Sequence, residues 1–286
     1  MTAVAQLLPG DRLHLQHGPI DLVIWAEGCG NARDVAYRVA HARFATVLEE
    51  LVAELPLLRE PMRAGAEQPK GETACRMDRA VRPFAEVFVT RMAAVAGAVA
   101  DTILAAMCAA TPLTRAYVNN GGDIALHLAP GTRFDTAMMD HQGHELGRIS
   151  IAAGDGIGGI ATSARHGRSL SLGIADSVTV LAANAAQADV AATLIANAVD
   201  LPRHPAIRRM SALEVTPESD LGDRLVVLGC EHLSEADVAM ALSVGIARAR
   251  EMAAAGRISG AALFLQGQAR VLGANMTAGH RSLACA

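Results

Sequence analysis

Asp189 and Thr193 stand four residues apart in "ADVAAT" (188–193), inside an apolar run that predicts a helix. On a helix that spacing sets both side-chain oxygens on one side, one turn apart, a workable pair for a hard cation such as Mg2+. The same residues fit a plainer role: a carboxylate near a helix N-terminus that favours the dipole, with a threonine bonding back to helix carbonyls. A second stretch, "YVNNGGDIALHL" (117–128), sets two asparagines, two glycines and an aspartate between runs that read as strands. It predicts a tight turn, because Asn-Gly and Gly-Asp favour positive φ. Its glycines would also let the backbone approach a phosphate, with Asp123 orienting a ligand hydroxyl or a metal-bound water. A third, "GDGIGG" (154–159), spells G-x-G-x-x-G but runs into "IATSARHGRSLSLG", β-like and turn-rich. A dinucleotide fingerprint needs a helix there, so this stretch reads as a bulged turn. Thr162, Ser163, Arg165 and Arg168 beyond it either offer hydroxyls and guanidinium groups to phosphate or form a solvated loop.

Other chemistries find little material. His141 and His144 in "DHQGHE" are three apart, a metal-ligand spacing only if helical, and Gly143 with flanking strand patterns makes a hairpin tip instead. No GxSxG elbow, HExxH or P-loop is present. The 5 cysteines are odd in number, far apart and without a CxxC pair, which argues against a disulfide framework or structural zinc and suits a reducing cytoplasm. The net charge of −4 with scattered basic residues excludes the electrostatic footprint of a nucleic-acid binder. "MTAVAQLLPGDRLHL" lacks a basic n-region and reaches Pro9 and Asp11 early, so it does not read as a signal peptide.

The elements that must position these residues follow from periodicity. "RLHLQHGPIDLVIWAEG" alternates around Gly-Pro and predicts an opening hairpin. Residues 31–54 carry Val35, Val39, Phe44, Val47 and Leu51 at helical spacing; 55–72, rich in proline and glycine, read as a loop. "MAAVAGAVADTILAAMCAATPL" (92–113) is long enough to span a bilayer, but its Ala and Gly gain little from lipid and Asp101 would be costly there. It reads as a central helix buried in protein with no membrane partner; Asp101 then needs a partner, unless it lies at an exposed edge. Residues 115–182 read as six short strands, 186–199 as a second Ala-rich helix, and the remainder as a strand, a helix over 234–255 and two closing strands. Clumped helices and strands without a βαβ series give an α+β class. At 286 residues and 51% hydrophobic content the chain builds one elaborate domain or two interlocked halves.

In order and wording these segments resemble the ApbE-like superfamily, whose best-known members are FAD:protein FMN transferases. "VNNGGDI" (118–124) resembles its N-x-G-G-D-I segment, "AVAGAVAD" (94–101) stands at its A-x-A-K-G-x-x-x-D segment, and "VTVLAANAAQADVAAT" (178–193) resembles its V-x-V-x-A, then A-D-x-x-x-T, segment. The resemblance implies one ApbE-like domain over 1–286 with mixed and antiparallel sheets packed on Ala-rich helices. It implies Mg2+ ligation by Asp189 and Thr193, and a ligand cleft lined by Asn119, Gly121, Gly122 and Asp123. Two departures stand out. The motif lysine is Ala96 here, and "GRSLSLGIADSVTV" (167–180) replaces the transferases' H-x-x-D-P, wording that looks like a shorter, uncharacterised branch.

The expectation is therefore a cytoplasmic protein binding a phosphorylated small molecule, FAD or FMN, with Mg2+, and either hydrolysing the FAD pyrophosphate or transferring FMN. A noncatalytic flavin or metabolite binder and a pathway enzyme acting on an unrelated small substrate are the alternatives. The sequence leaves a homodimer open.

Overall fold

A computed structural model describes residues 3–279. The chain opens with strands β1 (Val4–Leu8), β2 (Arg12–His17) and β3 (Ile20–Glu27), then helices α1 (Ala32–Ala53), α2 (Leu55–Arg59), α3 (Glu72–Val81) and α4 (Val95–Ala110). Five strands follow: β4 (Arg115–Asn120), β5 (Asp123–Leu128), β6 (Arg133–Met139), β7 (Glu145–Ala152) and β8 (Gly159–Ser163). After β9 (Ser177–Ala182) come α5 (Ala185–Ala198), β10 (Ile207–Ser211), α6 (Ala212–Val215), β11 (Leu225–Cys230) and α7 (Glu235–Ala254). The described chain closes with β12 (Gly260–Leu265), β13 (Gln268–Leu272) and β14 (Met276–Ala278). Helix and strand in comparable shares, with antiparallel pairing, make the fold α+β.

Two compact units share the chain. The first holds residues up to Arg133 with Ala152–Ala161 and Ala182–Val190; the second holds Phe134–Ile151, Thr162–Leu181 and residues from Ala191 onward. The chain passes from one to the other within β6, β7, β8, β9 and α5.

In the first unit β1, β2, β3, β4, β5 and β8 pair antiparallel in that order. Alternation along the strands buries Leu13, Leu15, Leu22, Ile24, Ala116, Val118 and Ala125, the period-2 signature of a sheet with one covered face. The face of α1 carrying Ala36, Ala40, Phe44, Val47 and Leu51 is buried, and α1 packs on α4. Helix α4 is buried from Gly97 through Leu104 and again at Met107. Arg91–Ala110 is apolar and long enough to cross a membrane, and 56% of its most apolar window is buried in the protein.

Sequence periodicity missed part of this unit. Helix α2 occupies the start of the expected loop 55–72, and α3 was not anticipated at all. Fully buried Arg91 explains much of their placement: it donates to Asp78 Oδ1 on α3 (2.8 Å) and to the carbonyls of Leu57 (2.9 Å) and Glu67 (2.6 Å). One guanidinium thus ties α2, the following loop and α3 together, and nonlocal ties of that kind leave no periodic trace. Strand β1 was also missed, because its residues are exposed on both faces and show no alternation.

In the second unit β9, β12 and β13 pair antiparallel, and α7 packs on β12 and β13. The Ser234 hydroxyl caps α7 by accepting the Asp237 amide at 3.2 Å. Strands β14, β7 and β6 form a three-stranded sheet, and β10 pairs with β11 across a bulge at Arg208/Arg209. Strand β10, helix α6 and strand β14 are too short for a periodic signal and were not foreseen.

Candidate functional site

Two Ala-rich helices of the first unit hold each other by their ends. Asp101, in the middle of α4, accepts the first amides of α5, from Ala185 (3.0 Å) and Ala186 (2.9 Å). The Asn184 side chain accepts the third, from Gln187 (2.9 Å). In return Asp189 of α5 accepts the Gly97 amide at 3.0 Å and also bonds the amide of Ala96, in the first turn of α4. Each helix therefore neutralises the exposed donors and positive end of the other with its own carboxylate. Helix α5 and α4 can come that close because Gly97 has no side chain. A Cβ there would stand 2.3 Å from the Ala185 carbonyl oxygen, and one on Gly159 would stand 2.2 Å from the Asn184 carbonyl carbon.

Beside this clasp lies the β4–β5 turn. Asn120 pairs with Asp123 across it, and Gly121 and Gly122 hold φ of 67° and 112°, the left-handed values of a two-residue hairpin loop. Asn119 Oδ1 accepts the Gly122 amide at 2.9 Å and fixes the bend. Asn120, buried to 5% exposure, donates to the Ala96 carbonyl at 3.1 Å and docks the turn onto the first turn of α4.

Electrostatics tie the turn to the clasp. Burial pushes the half-buried Asp189's carboxyl well above the usual carboxylate range, repulsion from Asp123 adds to the rise, the Gly97 and Ala96 amides oppose it, and Asp101 adds a smaller push. Asp101 is also raised by burial, against the pull of the Ala186 and Ala185 amides and of Arg76. The Asp189 and Asp123 carboxylates thus repel within one unit. An all-protein cage is not present: among the described residues no group of three or more His, Cys, Asp or Glu is arranged for a metal.

Of the residues singled out in the sequence, Asn119, Gly121, Gly122, Asp123 and Asp189 fall in the first unit, where turn and clasp meet through Asn120 and Ala96. Ser163, Arg165, Arg168 and Thr193 belong to the second. Thr193 is half-buried one turn beyond Asp189 on α5. Arg165 is engaged by Asp176, whose Oδ1 accepts both Nε (2.9 Å) and Nη2 (2.8 Å); Ser163 is half-buried and Arg168 exposed. His141 and His144 lie in the β6–β7 hairpin tip, as expected. The Asp140 carboxyl there is held down to about 2, chiefly by the His144 amide. Sequence reasoning missed Asn120 and gave Asp101 no assigned partner. The available signal was an isolated glycine, Gly97, inside a helical pattern, a mark of close backbone approach.

The α+β fold, with Ala-rich helices packed against antiparallel strands, is that of an ApbE-like protein. The chain belongs to the family described as AbpE bacteria, whose model matches residues 4–271. A protein of Methanopyrus kandleri called a UPF0280 protein is 39% identical over 128 residues, 44% of this chain and 48% of that protein. The chain thus spans about half the length of this curated relative. The crystal structure of Pseudomonas stutzeri flavinyl transferase ApbE, apo form, is similar with a TM-score of 0.43 and 13% identity, covering 96% of this chain and 93% of that one.

Proposed function

We propose that this protein binds a phosphorylated flavin nucleotide, FAD or FMN, together with Mg2+ at the edge formed by the β4–β5 turn and Asp189. The observation that carries the reading is the docking of the Gly121–Gly122 turn, through Asn120 and the Ala96 carbonyl, onto the end of α4 that Asp189 caps. Two carboxylates that repel each other are relieved by a divalent cation, and family membership supports a flavin-type ligand. The Gly121 and Gly122 backbone offers close approach to phosphate, Asn119 holds that backbone in place, and Thr193 stands one helical turn from Asp189. Of the basic residues expected to face phosphate, Arg168 is exposed, whereas Arg165 is committed to Asp176. A bound divalent cation would supply neutralisation of the pyrophosphate charge.

Binding without turnover is favoured by Ala96, which stands where the superfamily motif has a lysine, and by "GRSLSLGIADSVTV" in place of H-x-x-D-P. Hydrolysis of FAD to FMN and AMP, or transfer of FMN, is the catalytic version of the same site.

A thermal-shift panel of FAD, FMN and AMP with and without Mg2+ tests the reading. At a ligand concentration a hundred times Kd, binding adds about 2.7 kcal/mol to stability, a readily measured rise in Tm. FAD or FMN is expected to raise Tm more with Mg2+ than without, and Asp123→Asn is expected to remove the Mg2+-dependent part. A wild-type protein indifferent to both flavins in Mg2+ overturns the proposal. AMP release from FAD separates turnover from binding.

A further inference from the structure

We infer a second, independent oxyanion site in the first unit, between α3 and the beginning of α5. A pocket of about 200 Å3 is lined there by Arg76, Arg79, Asp101, Asn184 and Gln187. The two arginines are three apart on α3, so both guanidinium groups project from one side of that helix. Arg79 spends only Nε, on the Cys75 carbonyl at 3.2 Å. Arg76 sends Nη2 to exposed Glu72 at 3.1 Å, and its Nε is buried with no acceptor among the described residues. A buried guanidinium donor without a partner is costly, and a guanidinium fork pairs bidentately with the oxygens of an oxyanion such as a phosphoryl group.

Asp101, the acidic residue of the lining, does not cancel this. Both its oxygens accept amides of α5, from Ala185 and Ala186, so it takes no hydrogen bond from either arginine. Glu72 is half-exposed and already shared between Arg76 and Arg43. The pocket therefore keeps unspent guanidinium donors, with the Asn184 and Gln187 side-chain amides as further polar groups on its wall. Its volume admits free phosphate or a small phosphomonoester and lies below the ~300–1,000 Å3 of pockets that enclose larger ligands.

Asp101 and Asn184 also serve the α4–α5 clasp, but neither arginine belongs to it or to the β4–β5 turn, so this site and the flavin reading can fail separately. The test is calorimetric titration of the full chain with inorganic phosphate and with glycerol 3-phosphate at fixed ionic strength. Wild type is expected to bind phosphate, and Arg76→Gln to weaken it about ten- to hundredfold. Arg79→Gln, at an exposed position that leaves the fold intact, is expected to weaken it less. Asp123→Asn is expected to leave it unchanged. Tighter binding of the ester assigns the site to a phosphorylated metabolite, and equal binding assigns it to free phosphate; either supports it. Absence of phosphate binding by wild type overturns the site, as does binding that survives both arginine substitutions.

Discussion

Replacing Gly97 by alanine is expected to destabilise the protein by about 3 kcal/mol, although alanine is the best helix former and glycine among the worst. Propensity alone predicts the opposite sign, a gain of about 1 kcal/mol. The contact geometry decides: the added methyl would stand 2.3 Å from the Ala185 oxygen, 2.4 Å from its carbonyl carbon and 2.7 Å from the Ala186 nitrogen. All three are backbone atoms at the start of α5, so no flexible side chain can give way. Separating the helices to fit it would also stretch the bond from the Gly97 amide to Asp189. Urea unfolding reads this as a lower midpoint at unchanged slope. A higher midpoint would mean that the helices do not meet at this residue.

Asp101→Ala is expected to cost a similar amount, about 3 kcal/mol, because two amides at the head of α5 lose their side-chain acceptor. The effect carries a pH signature. Burial raises the folded-state pKa of Asp101 above its ordinary value, so the folded protein holds this proton more tightly than the unfolded chain does. A group shifted in that direction contributes stability that is fully present below the unfolded pKa and is lost as pH rises through the folded pKa. The difference in unfolding free energy between wild type and Asp101→Ala should therefore be largest in acid and shrink as pH climbs through the raised value. A difference that grows with pH would place the carboxyl in an environment favouring its charged form. Measuring both proteins across mildly acidic pH, above general acid denaturation, checks the sign.

These effects bear on how much of the molecule was legible in its residues. The six strands between 115 and 182 could be read because each is short, alternating or apolar, and bounded by turn residues. The second Ala-rich helix and the Ser234-capped helix could be read for similarly local reasons. The Gly-Gly turn was legible as well, since its positive φ values follow from residue type. Asp189 was harder. Its type and spacing suggested either a metal ligand or a carboxylate serving its own helix, and neither pattern could reveal its bond to the Gly97 amide of α4, 92 residues earlier. Asp101 announced a need for partners by its charge in an apolar run, but periodicity could not say that they were the amides of a helix 84 residues downstream. Arg91 and Asp78 illustrate the same gap: a fully buried ion pair is specified by three-dimensional neighbours, and only its cost is visible in one dimension.

The mutual capping of α4 and α5 also has a temporal side. The first unit is assembled from three stretches of chain, and its latest, Ala182–Val190, carries one carboxylate of the clasp and the amides that receive the other. A nascent chain that has emerged only through β5 has its Gly-Gly-Asp bend and sheet, yet the leading turn of α4 has no anion facing it and Asp101 has no donors. Completion of this half must wait for sequence made long after most of it, and such distant closure slows folding. A ribosome stalled before residue 182 should therefore display a loosened, protease-sensitive amino-terminal region, and release of the next dozen residues should harden it.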